Sequence, residues 1–390
     1  MNLTPLAPRD PERIRDALVR RGMGEAKAWA AAQGLAPVVL FLDDTTSHDR
    51  DAIVAASANQ GVESIVGDDW VLLAGSTANL ASLQRSGAKY IRQEILNEIG
   101  QCLHDFVERP DSWVMRRGKV DLSRPVVVGI LNVTPDSFSD GGEFVTPESA
   151  LRHAESMLAE GAAMLDVGAE STRPGRPNPV SAEQEWVRLG PVLSELAREH
   201  PGVPVSVDTV KSETARRALE AGAWAINDVS GLRFDPAIAD VCANMGAGII
   251  LMHSRGSFSE MATYDHAEYE DVVAETVGEL ERSAETAMKR GVVREGIVLD
   301  PGFGFSKQPE QNYEILRGLE SVVSRGFPVM VGPSRKRFLG AVTGKEVHER
   351  DAATAAACIA AYSEGAILFR VHAVGLVKEA MDVIGAIEGA

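Results

Sequence analysis

The sequence predicts an α/β protein: a (β/α)₈ TIM barrel preceded by a small mixed α/β N-terminal domain. From Pro125 onward, short runs rich in β-branched residues alternate with longer amphipathic segments. Strands alternating with helices indicate a parallel sheet. The runs are nearly continuously apolar, as parallel strands covered on both faces require. There are enough such units to close a ring, and a barrel needs roughly 250 residues, which leaves the first part of the 390-residue chain for a second domain. An open doubly wound sheet is the runner-up architecture.

The strand–helix units follow in order. VVVGILNV (126–133) precedes a helix from about Glu148 to Glu160, and MLDVGA (164–169) leads to a helix around Ala182–Arg198. VPVSVD (203–208) precedes a helix from Ser212, and AINDVS (225–230) one from Pro236. GIILMH (248–253) leads to a long helix around Glu268–Arg290, and GIVLDPG (296–302) to one from Glu310. PVMVGPS (328–334) and AILFRVH (366–372), each with a helix behind it, complete the set.

The preceding region reads differently. A helix over Glu12–Ala31 precedes a strand at 37–44 and a helix near Asp51–Asn59. VESIVGDDWVLLAGS (62–76) gives two strands joined at Gly67–Asp68–Asp69. A last helix sets Ile91, Ile95, Ile99, Leu103 and Phe106 along one face. The stretch 108–125 reads as linker and barrel entrance, so the expected domains are 1–118, of unassigned role, and 119–390.

A net charge of −17 argues against a nucleic-acid binder, which needs a basic face. It also requires any anionic substrate to be captured by local cations, amides or a metal. Three scattered cysteines read as free thiols. No leader is evident, and no stretch approaches the roughly 20 apolar residues of a membrane helix. A cytoplasmic protein is the expectation.

In a (β/α)₈ barrel the site forms at the C-terminal ends of the strands, and the polar residues gather there. Asn132, Arg173, Ser334, Arg370 and His372 offer neutral and cationic groups suited to phosphate oxygens. Asn132 can add an oxygen to a Mg²⁺ that keeps most of its waters. Asp208, Asn227, Asp300 and Lys336 instead suit a flat, nitrogen-rich heterocycle, whose N–H edge a buried carboxylate can meet. Singly, several have plainer explanations. Asp208 could cap the next helix, and GFGFSK (302–307) could be an ordinary glycine turn. Together at one rim they make a site, because buried polar atoms cost free energy unless paired.

At GILNVTPDSFSDGG (129–142) the sequence resembles the dihydropteroate synthases. DVGAESTRPG (166–175), SVDT (206–209), INDVSG (226–231), MHSRG (252–256), LDPGFGFSK (299–307), VGPSRKRFLG (331–340) and RVH (370–372) continue that resemblance in order. It covers roughly Pro125 to the C-terminus. It implies condensation of 6-hydroxymethyl-7,8-dihydropterin pyrophosphate with p-aminobenzoate, with release of pyrophosphate, and a homodimer. It implies a pterin pocket of Asp208, Asn227, Val229, Asp300 and Lys336, with Met252 and Gly332 against the ring. Asn132, Arg173, Ser334, Arg370 and His372 resemble the pyrophosphate and Mg²⁺ site. Phe138, Asp140, Thr172, Arg173 and Pro174 resemble loops that close over the reaction centre. Phe305, Pro174 and Lys336 resemble the walls of the p-aminobenzoate site, which sulfonamides occupy in the family. Arg337 stands where many relatives carry Ser, and Ala373 where Asp is frequent. The alternatives are a non-catalytic pterin-binding protein and a methyltetrahydrofolate–corrinoid methyltransferase. Arg173, Arg370, His372 and SRK (334–336) weigh against the latter, which has no pyrophosphate to hold.

Overall fold

The computed structural model describes residues 15, 18–19, 23–35, 37–107, 109–134, 146–170 and 180–388. The chain divides into two compact units, Met1–Glu108 and Arg109–Ala390.

The first unit contains α1 (Glu25–Leu35), β1 (Pro37–Leu42), α2 (Ser47–Ser57), β2 (Glu63–Val66), β3 (Val71–Ser76), α3 (Thr77–Ser86) and α4 (Gln93–Val107). Its strands form an antiparallel sheet in the order β1–β3–β2. Val38, Leu40, Val71 and Leu73 pack one sheet face onto Ile53, Leu80, Leu83 and the predicted apolar face of α4, including Ile95, Ile99 and Leu103. Thr46 and Asp49 form a capping box at α2. Asp49 also takes two bonds from Arg92, at 2.7 and 2.9 Å, and these hold its carboxyl down at about 2.

In the second unit, β6 (Val126–Asn132), β7 (Met164–Gly168), β8 (Val205–Asp208), β9 (Ala225–Asp228), β10 (Gly248–Met252), β11 (Ile297–Asp300), β12 (Met330–Val331) and β13 (Leu368–Val371) are all parallel. They run in the order β11–β10–β9–β8–β7–β6–β13–β12, and a parallel bridge from Leu299 to Val329 closes the ring. Helices alternate with them: α5 (Pro147–Ala159), α6 (Ala182–Glu199), α7 (Ser212–Glu220), α8 (Ala237–Met245), α9 (Val272–Lys289), α10 (Pro309–Arg317), α11 (Glu320–Val323), α12 (Arg337–Thr343), α13 (Asp351–Ser363) and α14 (Val374–Glu388). Capping boxes at Thr146–Ser149 and Ser181–Gln184 start α5 and α6, satisfying amides that have no partner within the helix. Outward residues such as Leu165, Val207, Ile226 and Leu299 join the helices in the main core.

The stretch read as linker is a two-stranded antiparallel hairpin, β4 (Ser112–Met115) and β5 (Gly118–Asp121), within the second unit. Trp113, Met115, Val120 and Leu122 pack against the inward residues Val126, Met164, Ala225, Ile250, Val298 and Leu368. The indole of Trp113 is fully buried and donates to the carbonyl of Gly296 at 2.8 Å. The hairpin therefore seals the N-terminal end of the barrel. Its strands are only four residues long, and β5 alternates Lys119 and Asp121 with Val120, so no long apolar run advertised them.

Candidate active site

The barrel interior changes from apolar to polar along the strand direction. Side chains alternate in and out along a strand, so Met164 on the floor places Asp166 and Gly168 on the same inner face. Asp166 is fully buried and accepts from three strands. Its partners are Ser206 Oγ at 2.5 Å, Asn227 Nδ2 at 3.1 Å and Arg370 Nε at 2.5 Å. The bond to Asn227 Nδ2 turns the amide so that Oδ1 is buried with no partner among the described residues. A buried acceptor left unpaired costs about 1–3 kcal/mol. It is left open to a partner that the described residues do not supply.

Asp208 pairs in register with Asn227 and accepts from Arg370 Nη2 at 3.1 Å. Burial pushes its carboxyl above the usual carboxylate range, and the Arg370 guanidinium opposes that shift. Asp300 is buried and accepts from the Gly302 amide at 2.7 Å. Burial raises its carboxyl to about 6, against the pull of that amide and of Arg370, Lys336 and Lys307. Lys336 is held down to about 7, first by burial and then by the positive field of Arg370, while Asp300 and Asp208 act the other way. Its ammonium lies 3.9 Å from the centroid of the Phe305 ring. Gly304, at φ +76°, gives the Lys336 stem room, since a Cβ there would meet Lys336 Cδ at 2.9 Å. Met252 pairs in register with Asp300, and Met252, Val229 and Phe305 share an apolar cluster. The result is an apolar wall bordered by two carboxylates, an amide and an ammonium.

A second set adjoins the first. Ser334 Oγ lies 2.9 Å from His372 Nδ1 and accepts from the His372 amide at 3.1 Å. Gly332 presents no side chain, and a Cβ built there would be 4.0 Å from Arg370 Cβ. Asn132 Oδ1 and the Asp208 carboxylate flank Gly168, where a Cβ would lie 3.7 and 3.8 Å from their oxygens. Glycine keeps that space between two oxygen donors open. Arg370, grouped by sequence with the anion-binding residues, rests its guanidinium on Asp166 and Asp208 and so stands between the two sets.

The structure brings Asn132, Asp208, Asn227, Met252, Asp300, Phe305, Gly332, Ser334, Lys336, Arg370 and His372 to one rim, at the ends of the strands or in the turns after them. Phe138, Asp140, Thr172, Arg173 and Pro174 lie outside the described residues. Asp208 caps no helix, since α7 begins after Lys211 and the Ser212 amide donates to Asp235 at 2.7 Å. Arg337 bonds to the carbonyl of Ala262 and stacks 4.4 Å over Tyr264.

Sequence reasoning missed Asp166 and Ser206, which sit within apolar strands rather than at their ends. Counting by twos along β7 and β8 from the floor would have found both. It also missed the buried Lys307, which donates to His253 Nδ1 at 2.8 Å and to the carbonyls of Phe305 and Gly302 at 3.1 and 3.3 Å. His253 in turn meets Glu279 at 3.0 Å. These contacts join the turns after β10 and β11 beneath Asp300.

Fold and rim together define a barrel enzyme with a site for a nitrogen-rich heterocycle beside an anion. Residues 128–372 match the family described as pterin binding enzyme. The dihydropteroate synthase of Synechocystis sp. is 42% identical over 265 residues, covering 68% of this chain and 90% of that protein. A Xanthomonas albilineans dihydropteroate synthase solved with 4-aminobenzoic acid aligns with a TM-score of 0.65 at 41% identity, over 70% of this chain and 96% of that one. A Burkholderia cenocepacia dihydropteroate synthase complexed with 7,8-dihydropteroate aligns with a TM-score of 0.65 at 38% identity, over 72% and 97%. The chain thus belongs to the dihydropteroate synthase family of pterin-binding enzymes, a match that begins after the first unit.

Proposed function

We propose that this protein is a transferase that condenses 6-hydroxymethyl-7,8-dihydropterin pyrophosphate with p-aminobenzoate to give 7,8-dihydropteroate and pyrophosphate. The observation that carries this reading is the unspent Asn227 Oδ1, fixed by Asp166 beside Asp208, Asp300 and Lys336. A pterin offers N–H groups and a carbonyl along one ring edge, which this set complements. Asn227, Asp208 and Asp300 accept from that edge, Lys336 donates to the carbonyl, and Met252, Val229 and Gly332 lie against the ring.

Ser334, His372 and Arg370, with Arg173, hold the pyrophosphate. Among the described residues no cluster of three or more His, Cys, Asp or Glu could cage a metal. A Mg²⁺ arriving with the pyrophosphate nevertheless fits the donors around Gly168, since magnesium keeps most of its waters and takes one or two protein oxygens. Asn132 would hold it, and when bound it offsets charge on the leaving group. The bond from the pterin methylene carbon to the pyrophosphate oxygen breaks and takes its electron pair to the pyrophosphate. The electron-rich ring spreads the positive charge, and the Asp208 and Asp300 carboxylates favour it electrostatically. The neutral amine of p-aminobenzoate attacks between Phe305 and Lys336, then passes its proton to the released pyrophosphate. Phe138, Asp140 and Thr172 belong to the segments that keep water from the cation.

The same reading extends to a homodimer in the cytoplasm, whose mass light scattering would give directly. One assay tests the activity: pyrophosphate release that needs both the pterin substrate and p-aminobenzoate, and that a sulfonamide inhibits. Pterin binding without such turnover would instead leave a binding protein.

A further inference from the structure

Ser334 and Lys336 both face the site, yet the residue between them has a backbone conformation that side-chain-bearing residues avoid. Arg335 sits at φ +57°, in the left-handed region, which disfavours it roughly tenfold in population. Four contacts from Arg350 and the first turn of α13 hold it there. Asp351 takes Arg335 Nε and Nη2 at 2.7 and 2.8 Å in a bidentate pair, and Thr354 Oγ1 accepts from the Arg335 amide at 3.1 Å. Arg350 Nη1 donates to the Arg335 carbonyl at 3.2 Å and reaches the Lys336 carbonyl at 3.4 Å. Thr354 is fully buried and bonds back to the Arg350 carbonyl at 3.0 Å. The guanidinium of Arg350 fills the space where a Cβ of Gly340 would lie, so α12 is shaped to let it through. An ion pair that served only to tie α13 down would need neither the bonds to the Arg335 and Lys336 backbone nor the left-handed turn.

We propose that Arg350, Asp351 and Thr354 are positioning residues: they lock Arg335 in its left-handed turn and thereby set Ser334 toward His372 and Lys336 against Phe305. This rests on the synthase reading for what the two side chains do, although its test does not need turnover. Glycine adopts this φ without penalty, so it should replace the lock.

The variants are Asp351→Ala, Arg335→Gly and the double Asp351→Ala/Arg335→Gly, with Asp351→Asn as a milder form should the alanine not fold. The readouts are Kd for 6-hydroxymethylpterin, which reports Lys336, Kd for inorganic pyrophosphate, which reports Ser334, kcat/KM and Tm. Asp351→Ala is expected to weaken both ligands at least fivefold and lower kcat/KM at least tenfold, whereas Arg335→Gly and the double variant both stay within threefold of wild type. A plain structural tie between α13 and the turn gives no such recovery. The proposal is overturned if Asp351→Ala (or Asn) binds both ligands within twofold of wild type, or if the double variant stays as weak as Asp351→Ala at the same Tm. A wild-type protein that binds but does not turn over would refute the synthase reading, while the binding constants still decide this one.

Discussion

Arg370 at the rim stands on Asp166 in the middle of the barrel, with Nε and Oδ2 2.5 Å apart. The fully buried carboxylate also holds Ser206 and Asn227, so one residue from β7 orients groups on three other strands. Removing one partner of a buried pair leaves the other uncompensated, which costs about 3–5 kcal/mol. Asp166→Asn is therefore expected to lose about 3 kcal/mol by urea unfolding and to lower kcat/KM at least a hundredfold. Asp166→Asn with Arg370→Met should cost less than the sum of the two. An additive result in the double-mutant cycle would mean the pair is not coupled.

Lys336 should set activity against stability. Its ammonium is depressed to about 7, below an ordinary lysine at 10.5, so the apo fold favours the neutral form. A depressed group contributes stability above its unfolded pKa and loses it as pH falls toward the folded value. The penalty therefore accumulates between about 10.5 and 7 and is complete below 7. Lys336→Met is expected to raise the apo Tm most below pH 7, with the gain shrinking as pH rises, and to weaken pterin binding at least a hundredfold. A Tm gain that grew with pH would contradict it.

Asp300 gives the mirror case. Its carboxyl is raised from 3.8 to about 6, so the stability it contributes in acid is lost as pH rises through about 6. Asp300→Asn should stabilise the apo protein above pH 6, have little effect below pH 4, and reduce pterin affinity throughout. Thermal melts across pH 4–8 check the sign.

Phe305 carries the Lys336 ammonium on its face at 3.9 Å. Phe305→Leu keeps an apolar side chain and removes the ring quadrupole, worth about 0.5–2 kcal/mol. The expected result is a KM for p-aminobenzoate raised several-fold, with kcat lowered less than threefold. Isothermal titration with a sulfonamide should show a parallel loss.

The metal prediction separates fold from turnover. EDTA should leave the Tm of the apo protein unchanged, because the proposed Mg²⁺ arrives with the pyrophosphate. It should also abolish pyrophosphate release until Mg²⁺ is restored. A Tm that fell with EDTA alone would point to a structural metal.

Most of the site was legible because apolar strands end abruptly at the rim: the first polar residue after VPVSV, GIVL or AILF is Asp208, Asp300 or Arg370. Burial on both sides forces the apolar run, and the end of burial marks the site. Asp166 and Ser206 escaped because they interrupt such runs from inside, where a polar residue reads as noise until strand register shows that they meet. The turn at Arg335 escaped for a different reason, since nothing in SRK announces a left-handed arginine. The hairpin at 112–121 escaped because four-residue strands joined by Arg116–Arg117 have too short a period to detect.

That hairpin has a consequence for how the protein is made. Trp113 emerges from the ribosome 183 residues ahead of Gly296, whose carbonyl it needs. At about 5–20 residues per second, the indole waits roughly 10–40 s for its acceptor. The first tryptophan of the second unit thus reports on a step that must wait until the sixth of the eight barrel strands is being made. Its fluorescence during synthesis should stay solvent-like until β11 has cleared the exit tunnel, then shift as the floor is sealed.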